Sequence, residues 1–380
     1  MGESFHVEEE HLAGFAVLCS DLSLQTASVM GHVLNEAKAE SGFTGLMELV
    51  KPAVDEYAHL TGVRIANRVD LLTAMGTELN RAAWDYSGAD RKSYEEISPI
   101  MPGQVTGYKD FPGPVGYPAG TAPSLDAPAL EEADIRGILD DVGGSINAVD
   151  DAIAFITGWS PVTELVTPMS GNWNALSRAG TVLEQTGDGA EQVATNLTTQ
   201  LAPLGGHWDG GAALAFDSYA ARVAAALDIE GPINRLVGFV YTTVAAEFER
   251  VATFMVGALK DAVDKIVQAA ATAWIPGAGW IKIIDAVRKA IEIIQEAKDL
   301  IDSLMTVVEQ VNTVVEAAQD PIGFVQGQVE EQLAPLIEAA EAAGTAVDIG
   351  SDLIQVTDPS GLTDVPTEDY GVGANPRRNG

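Results

Sequence analysis

Cysteine, aromatic residues and strand patterns are scarce in this 380-residue chain. Cys19 is the single cysteine, which excludes an intrachain disulfide. Aromatic residues make up 6% of the chain against 47% for all hydrophobic residues, so the apolar content is mostly Ala, Val, Ile and Leu. No Val/Ile/Thr alternation bounded by hairpin turns is present. This composition favours helix-on-helix packing, and the sequence predicts an all-α fold.

Positive charge is also scarce, with 21 Lys and Arg residues against 55 Asp and Glu residues and a formal net charge of −34. Basic residues form no cluster larger than a pair such as Arg377-Arg378. Binding to nucleic acid requires a basic face, so no nucleic-acid partner is predicted. The acidity keeps such a chain soluble and self-repelling, and adaptation to high salt is an alternative explanation for it.

The sequence lacks the features of a Sec-type signal peptide and of a membrane-spanning helix. Its first residues, MGESFHVEEEHLAGF, are acidic where such signals are basic. No uninterrupted apolar run reaches the roughly 18 residues that a spanning helix requires. We therefore expect either a cytoplasmic protein or one exported by a route that does not read an N-terminal signal.

Residue types that form catalytic and metal sites are few and scattered. The five histidines lie at positions 6, 11, 32, 59 and 207, and no HxxxH or HExxH spacing predicts zinc. Cys19 could pair with His6 or His11 as a nucleophile, but its apolar neighbours favour a buried, inert thiol. No glycine-rich phosphate loop follows a strand. The sequence thus predicts no enzyme activity, no metal site and no cofactor.

Apolar spacing predicts two helical hairpins separated by a linker. Helices over 7–40 and from near Pro52 to about 90 form the first hairpin, within an N-terminal domain over 1–97. A Pro/Gly-rich linker over 98–128 follows, since its seven prolines leave no regular element. A further helix and the second hairpin occupy 129–230.

The rest of the chain is predicted to be a long helical hairpin with a C-terminal helix over 231–345 and an acidic, disordered tail over 346–380. An apolar heptad seam predicts coiled-coil-like packing of the second long helix: Ile284, Val287, Ile291, Ile294, Ile301, Met305, Val308 and Val315. Trp274 and Trp280 flank the joint between the long helices. They could pack on neighbouring helices, mediate self-association or touch a lipid interface.

Residues 205–211 read GGHWDGG and separate the two helices of the second hairpin. Four glycines in seven positions break a helix, because each costs about 1 kcal/mol relative to alanine. The turn contains one large aromatic residue, Trp208. Ala212, Ala213 and Phe216 follow it at the start of the next helix.

This pattern resembles the WXG (Trp-x-Gly) family, the helical-hairpin substrates of type VII (ESX) secretion systems in actinobacteria. Trp208 and Gly210 match the family's turn. Family members or their partners also carry Y-x-x-x-D/E after a hairpin's second helix as an export signal, and Tyr86 and Asp90 match that spacing. The first hairpin has SGFTG where a Trp-x-Gly turn would lie, as in divergent ESX-associated secreted proteins. The resemblance covers about 5–97 and 170–230.

The resemblance implies an elongated helical bundle of two WXG-like hairpins plus the long hairpin, with an exposed Tyr86 and Asp90 beside Trp208. A type VII secretion ATPase would read this folded patch. A secretion chaperone or WXG-family partner and homo-oligomerisation are further implied partners. The protein would be cytoplasmic before export, and afterwards a secreted or cell-envelope-associated, virulence-associated effector, scaffold or channel component.

Three alternatives stay open at this point. The chain could be an export module related to polymorphic toxins but without a toxin domain. It could be a cytoplasmic helical binding protein with no export role. Trp208 and Tyr86 could also be packing residues only.

Overall fold

The computed structural model describes residues 6–39, 42–88, 108–132, 150–151, 154, 160, 162–271, 279–319, 322–323, 329–342, 349–358 and 360–371. Within these ranges the regular elements are helical, and an isolated antiparallel bridge pairs Val7 with Trp208. The predicted all-α fold is confirmed.

Nine α-helices are described in these ranges. They are α1 (Glu9–Glu36), α2 (Lys51–Ser87), α3 (Trp173–Gly205), α4 (Gly211–Asp228), α5 (Glu230–Ala271), α6 (Gly279–Gln319), α7 (Val329–Ala342), α8 (Gly350–Gln355) and α9 (Ser360–Thr363). A short 3₁₀ helix (Gly45–Leu49) precedes α2, and a π-helical turn (Val162–Val166) precedes α3. The helix predicted near residue 129 falls mostly outside the described residues.

The first four helices form two hairpins that pack side by side, with α1 against α2, α3 against α4, and α1 against α3. Pro52 lies in the first turn of α2, where its missing N–H costs no helical hydrogen bond. Pro232 occupies the same kind of position in α5, which begins two residues after α4 ends. The break between α4 and α5 therefore lies at Ile229, just before Gly231-Pro232.

The long helices α5 and α6 pack on each other, and α5 also packs on α3. The seam of α6 differs from the predicted one, because Ile284 and Met305 are 58% and 38% exposed. Ten of its buried residues alternate in steps of three and four, and Ala286 and Val314 are buried beside them: Val287, Ala290, Ile294, Ala297, Ile301, Leu304, Val308, Val311, Val315 and Ala318. Small alanines occupy three of these positions, and they let the helix axes approach closely.

Residues 108–132, which we call the strap, are extended and bound to the surface of both hairpins. Val115 N–H donates to the Glu10 carbonyl at 2.9 Å, on α1. The Asn196 amide of α3 donates to the Thr121 carbonyl at 2.8 Å. Trp84 of α2 donates from its indole nitrogen to the Lys109 carbonyl at 2.8 Å. The predicted linker has no helix in this described part, but it joins the hairpins through its backbone N–H and carbonyl groups.

The C-terminal segment corrects the predicted disordered tail. Residues 349–358 and 360–371 include α8 and α9, and Tyr370 is buried. Its ring lies 5.3 Å from those of Phe216 and Tyr219 on α4. Asp352 accepts a 2.8 Å hydrogen bond from the Arg235 guanidinium on α5. Aromatic packing and ion pairing order a segment whose composition alone indicates disorder.

One helix in the described ranges, α1, is long and apolar enough to cross a membrane by length and composition. Of its most apolar 18-residue window, 61% is buried inside the fold. Its apolar residues pack against α2 and α3, as in the core helix of a helical bundle.

Candidate functional site

Trp208 lies in the turn between α3 and α4, with 2% of its surface exposed. The chain reverses there because Gly210 takes φ +97°, a conformation that glycine adopts without steric cost. The turn is also paired with residues before α1. Glu8 N–H donates to the His207 carbonyl, and Asp209 N–H donates to the His6 carbonyl, both at 2.9 Å.

The Trp208 indole is the centre of an aromatic cluster that spans both hairpins. Its ring centroid lies 5.7 Å from Phe216 and 6.4 Å from Tyr86, the latter in an edge-to-face arrangement at 73°. Phe216 also contacts Phe15 of α1 at 5.5 Å. Edge-to-face pairs of this kind contribute about 0.5–1.5 kcal/mol beyond the area they bury. The two motif residues are therefore in one packed cluster.

Tyr86 lies in the last turn of α2 and is only 5% exposed, so the expectation of an exposed recognition residue is wrong. Burial raises the pKa of its phenol, and the neighbouring Trp208 indole partly opposes that rise. Gly88 ends the helix in a left-handed conformation two residues later. Asp90 lies outside the described residues, so its place relative to Tyr86 and Trp208 stays a prediction.

The side chains of the other two predicted site residues, Trp274 and Trp280, lie outside the described part of the structure. Trp274 lies outside the described residues. Trp280 is in the first turn of α6, and the description there is of the backbone only.

A second cluster, Glu8, His11 and His207, lies beside the Trp208 turn and was not predicted. His207 Nδ1 is 3.0 Å from one Glu8 carboxylate oxygen, and His11 Nε2 is 3.5 Å from the other. The two imidazole rings stack at 3.5 Å. Hydrogen bonds from His207 and His6 are the main reasons that the pKa of Glu8 is lowered. Glu8 and His207 are 199 positions apart, so no local spacing in the sequence could reveal this cluster.

Two further ionisable groups, the Cys19 thiol and the Glu230 carboxylate, are buried for structural reasons. Cys19 is buried in the core of the hairpins, and burial raises the pKa of its thiol above the ordinary value, as expected for an inert cysteine. Glu230 is fully buried and accepts two hydrogen bonds from Arg64 at 2.9 Å, with Arg68 3.8 Å away. This ion cluster joins α2 to α5.

The Trp208 turn is thus a joint. The residues before α1, the end of α2 and the start of α4 meet there in one small region. Comparison of the chain with protein-family models, curated proteins and solved structures yields no match.

Proposed function

We propose that this protein is a non-enzymatic substrate of a type VII (ESX) secretion system and is exported as a folded helical bundle. The observation that supports the proposal most is the contact between Tyr86 and Trp208, whose ring centroids are 6.4 Å apart although they belong to different hairpins. Each residue belongs to one of the two sequence motifs that resemble export determinants.

The contact gives the two motifs a common location. A secretion ATPase that binds there would meet the end of α2, the Trp208 turn and the start of α4 together. Because Tyr86 and Trp208 are both buried, their main task in this proposal is to hold the two chain segments in register. The exposed atoms of those segments, and Asp90 beyond α2, would be the surface that the ATPase binds.

The protein is cytoplasmic before export in this proposal, and secreted or cell-envelope associated afterwards. A secretion chaperone or WXG-family chain could accompany it. Its role after export would be that of an effector, a scaffold or a channel component, without catalysis.

The test is an export assay in an actinobacterial host with an intact type VII system and in the same host without the secretion ATPase. We expect the protein in the culture filtrate of the first host and only in the lysate of the second. Equal amounts in both filtrates would contradict the proposal and favour a cytoplasmic binding protein or another export route.

The motif residues are tested in the same assay with variants that preserve the core. Asp90→Asn removes one charge, and its control is Asp85→Asn on α2. Tyr86→Phe removes only a hydroxyl, and Tyr219→Phe makes the same change in the same aromatic cluster. We expect Asp90→Asn to reduce export strongly, and Tyr86→Phe and both controls to be exported normally, because the ring at position 86 stays packed on Trp208. Normal export of Asp90→Asn would show that Asp90 is not part of the signal.

A further inference from the structure

We propose that Glu8, His11 and His207 form a binding site for a late first-row divalent cation, with Zn²⁺ as the ion to test. The site would hold the segment before α1, the first turn of α1 and the Trp208 turn together. It is independent of the export proposal, since it concerns binding by the purified protein.

The separation of the donor atoms suits a tetrahedral ion. Zn–N and Zn–O bonds of about 2.0–2.1 Å place neighbouring tetrahedral ligand atoms about 3.3 Å apart. The Glu8 carboxylate oxygens lie 3.0 Å from His207 Nδ1 and 3.5 Å from His11 Nε2. One ligand atom from each of the three residues can be chosen so that the three atoms lie within 4.8 Å of one another. Two imidazoles and one carboxylate form a ligand set known from catalytic zinc sites, with a fourth position left for water.

His11 has the supporting contact that a metal-binding histidine normally shows. Its Nδ1 is 2.9 Å from the hydroxyl oxygen of Tyr117, on the strap. When Nδ1–H donates to that oxygen, the lone pair of Nε2 is directed away from Tyr117 and toward Glu8. Such outer contacts fix the tautomer and orientation of the ligand. The His11 side chain is 15% exposed, so packing also restrains it.

The stacked rings indicate which residue moves when the ion binds. The imidazole planes of His11 and His207 are inclined by only 11°, so their in-plane lone pairs do not converge on one point. Binding therefore requires one ring to rotate. His207 is that residue, because its side chain is 37% exposed and it lies in a turn.

The charge around the site favours a cation. The helix dipole places partial positive charge at the start of α1, but Glu9 and Glu10 lie in the same turn and offset it. The whole chain carries a formal net charge of −34, which raises the local concentration of cations. Glu8 is 42% exposed, so an ion and its water can reach the carboxylate.

The experiment is a calorimetric titration of the purified, chelator-treated full chain with ZnCl₂, followed by absorption spectroscopy with Co²⁺. We expect one Zn²⁺ per chain and the intense visible bands of tetrahedral Co²⁺. His11→Gln and His207→Gln should each abolish the Co²⁺ bands and weaken Zn²⁺ binding by more than the roughly 10- to 100-fold that the loss of an outer contact costs. Tyr117→Phe should weaken binding by about 10- to 100-fold, as a positioning residue.

His59→Gln is the matched control, because His59 is exposed on α2 and outside the cluster. Thermal unfolding without metal verifies that each variant is folded, and Zn²⁺ should raise the Tm of the wild type and of His59→Gln only. The proposal is overturned if the wild type binds no Zn²⁺ at micromolar concentrations. It is equally overturned if folded His11→Gln and His207→Gln bind as the wild type does, since the histidines would then form only a hydrogen-bonded cluster with Glu8.

Discussion

Tyr86 and Trp208 are core residues, so removing either ring acts on stability as well as on recognition. Trp208→Ala should lower the free energy of unfolding by about 3–5 kcal/mol, as is usual when a buried aromatic side chain is truncated. Urea unfolding followed by circular dichroism measures the change. A loss below about 1 kcal/mol, which is common for surface positions, would contradict the packing described for this turn. Loss of export in Trp208→Ala is informative only if the variant is folded.

Gly14 and Gly31 are both on α1, and substitution by alanine should have opposite effects at the two positions. A Cβ atom at Gly14 would lie 1.8 Å from the Val115 carbonyl oxygen of the strap, so Gly14→Ala must displace that backbone. At Gly31 no atom lies within 4 Å, and alanine should stabilise the helix by about 0.5–1 kcal/mol.

Thermal unfolding and limited proteolysis measure both effects. Gly14→Ala should lower the Tm and speed cleavage within residues 108–132, whereas Gly31→Ala should raise the Tm without changing that cleavage. Unchanged cleavage in Gly14→Ala would show that the strap is not held by this contact.

Whether the sequence could predict a site residue depends on how far apart along the chain that residue and its contacts lie. Trp208 and Gly210 could be recognised because the glycines, the tryptophan and the following alanines are adjacent in the chain. The burial of Tyr86 could not be predicted, since its neighbours come from another hairpin. His207 and Glu8 meet beside the Val7–Trp208 bridge, and nothing local to either residue indicates the other.

At the scale of helices, the buried Glu230 with Arg64 joins α2 to α5. Glu230→Ala should cost about 3–5 kcal/mol, because it leaves the Arg64 and Arg68 guanidinium groups without the carboxylate that balances their charge. Asp285→Ala removes the partner of Lys289 within α6, a surface pair whose side chains are more than half exposed, and should cost less than about 1 kcal/mol. Urea unfolding of both variants compares the two pairs. Similar losses would contradict the special role of the buried cluster.

The ion pair between Glu230 and Arg64 also makes the stability of the fold depend on pH. Burial alone would raise the pKa of Glu230, but Arg64 and Arg68 more than compensate, so its pKa lies below the ordinary value of 4.5. A lowered carboxyl pKa contributes stability above the pKa of the unfolded chain, and this stability is lost as the pH falls through the folded value. The difference in unfolding free energy between the wild type and Glu230→Ala should therefore shrink as the pH falls below about 4.5. A constant difference across that range would contradict the ionised state of Glu230.

Apolar periodicity predicted the positions of the helices. It could not predict contacts between residues that are far apart in the sequence. The bounds of α1, α2 and α4 agree with the predicted ones within a few residues. The predicted α6 seam is wrong at Ile284 and Met305, which are exposed, whereas the smaller Ala290 and Ala297 are buried. The order of the C-terminal segment depends on Tyr370, whose partners lie on α4.

At the scale of the whole molecule, the net charge of −34 should make stability depend on salt. Mutual repulsion of carboxylates opposes the compact state, and salt screens it, since the Debye length falls from about 30 Å at 0.01 M to about 3 Å at 1 M. We expect the Tm at pH 7 to rise with NaCl over this range. At pH 4.2, near the isoelectric point, the rise should disappear. A Tm independent of salt at pH 7 would mean that ion pairs offset the repulsion.

The pairing of residues 6–8 with residues 207–209 has a consequence for protein synthesis. A ribosome adds about 5–20 residues per second, so Trp208 emerges roughly 6–24 s after Tyr86. During that interval the first hairpin has neither its partner turn nor the bridge at Val7. The joint at Trp208 is therefore completed only after the turn of the second hairpin has been made, and a receptor that binds it will not engage a nascent chain that has made only the first hairpin.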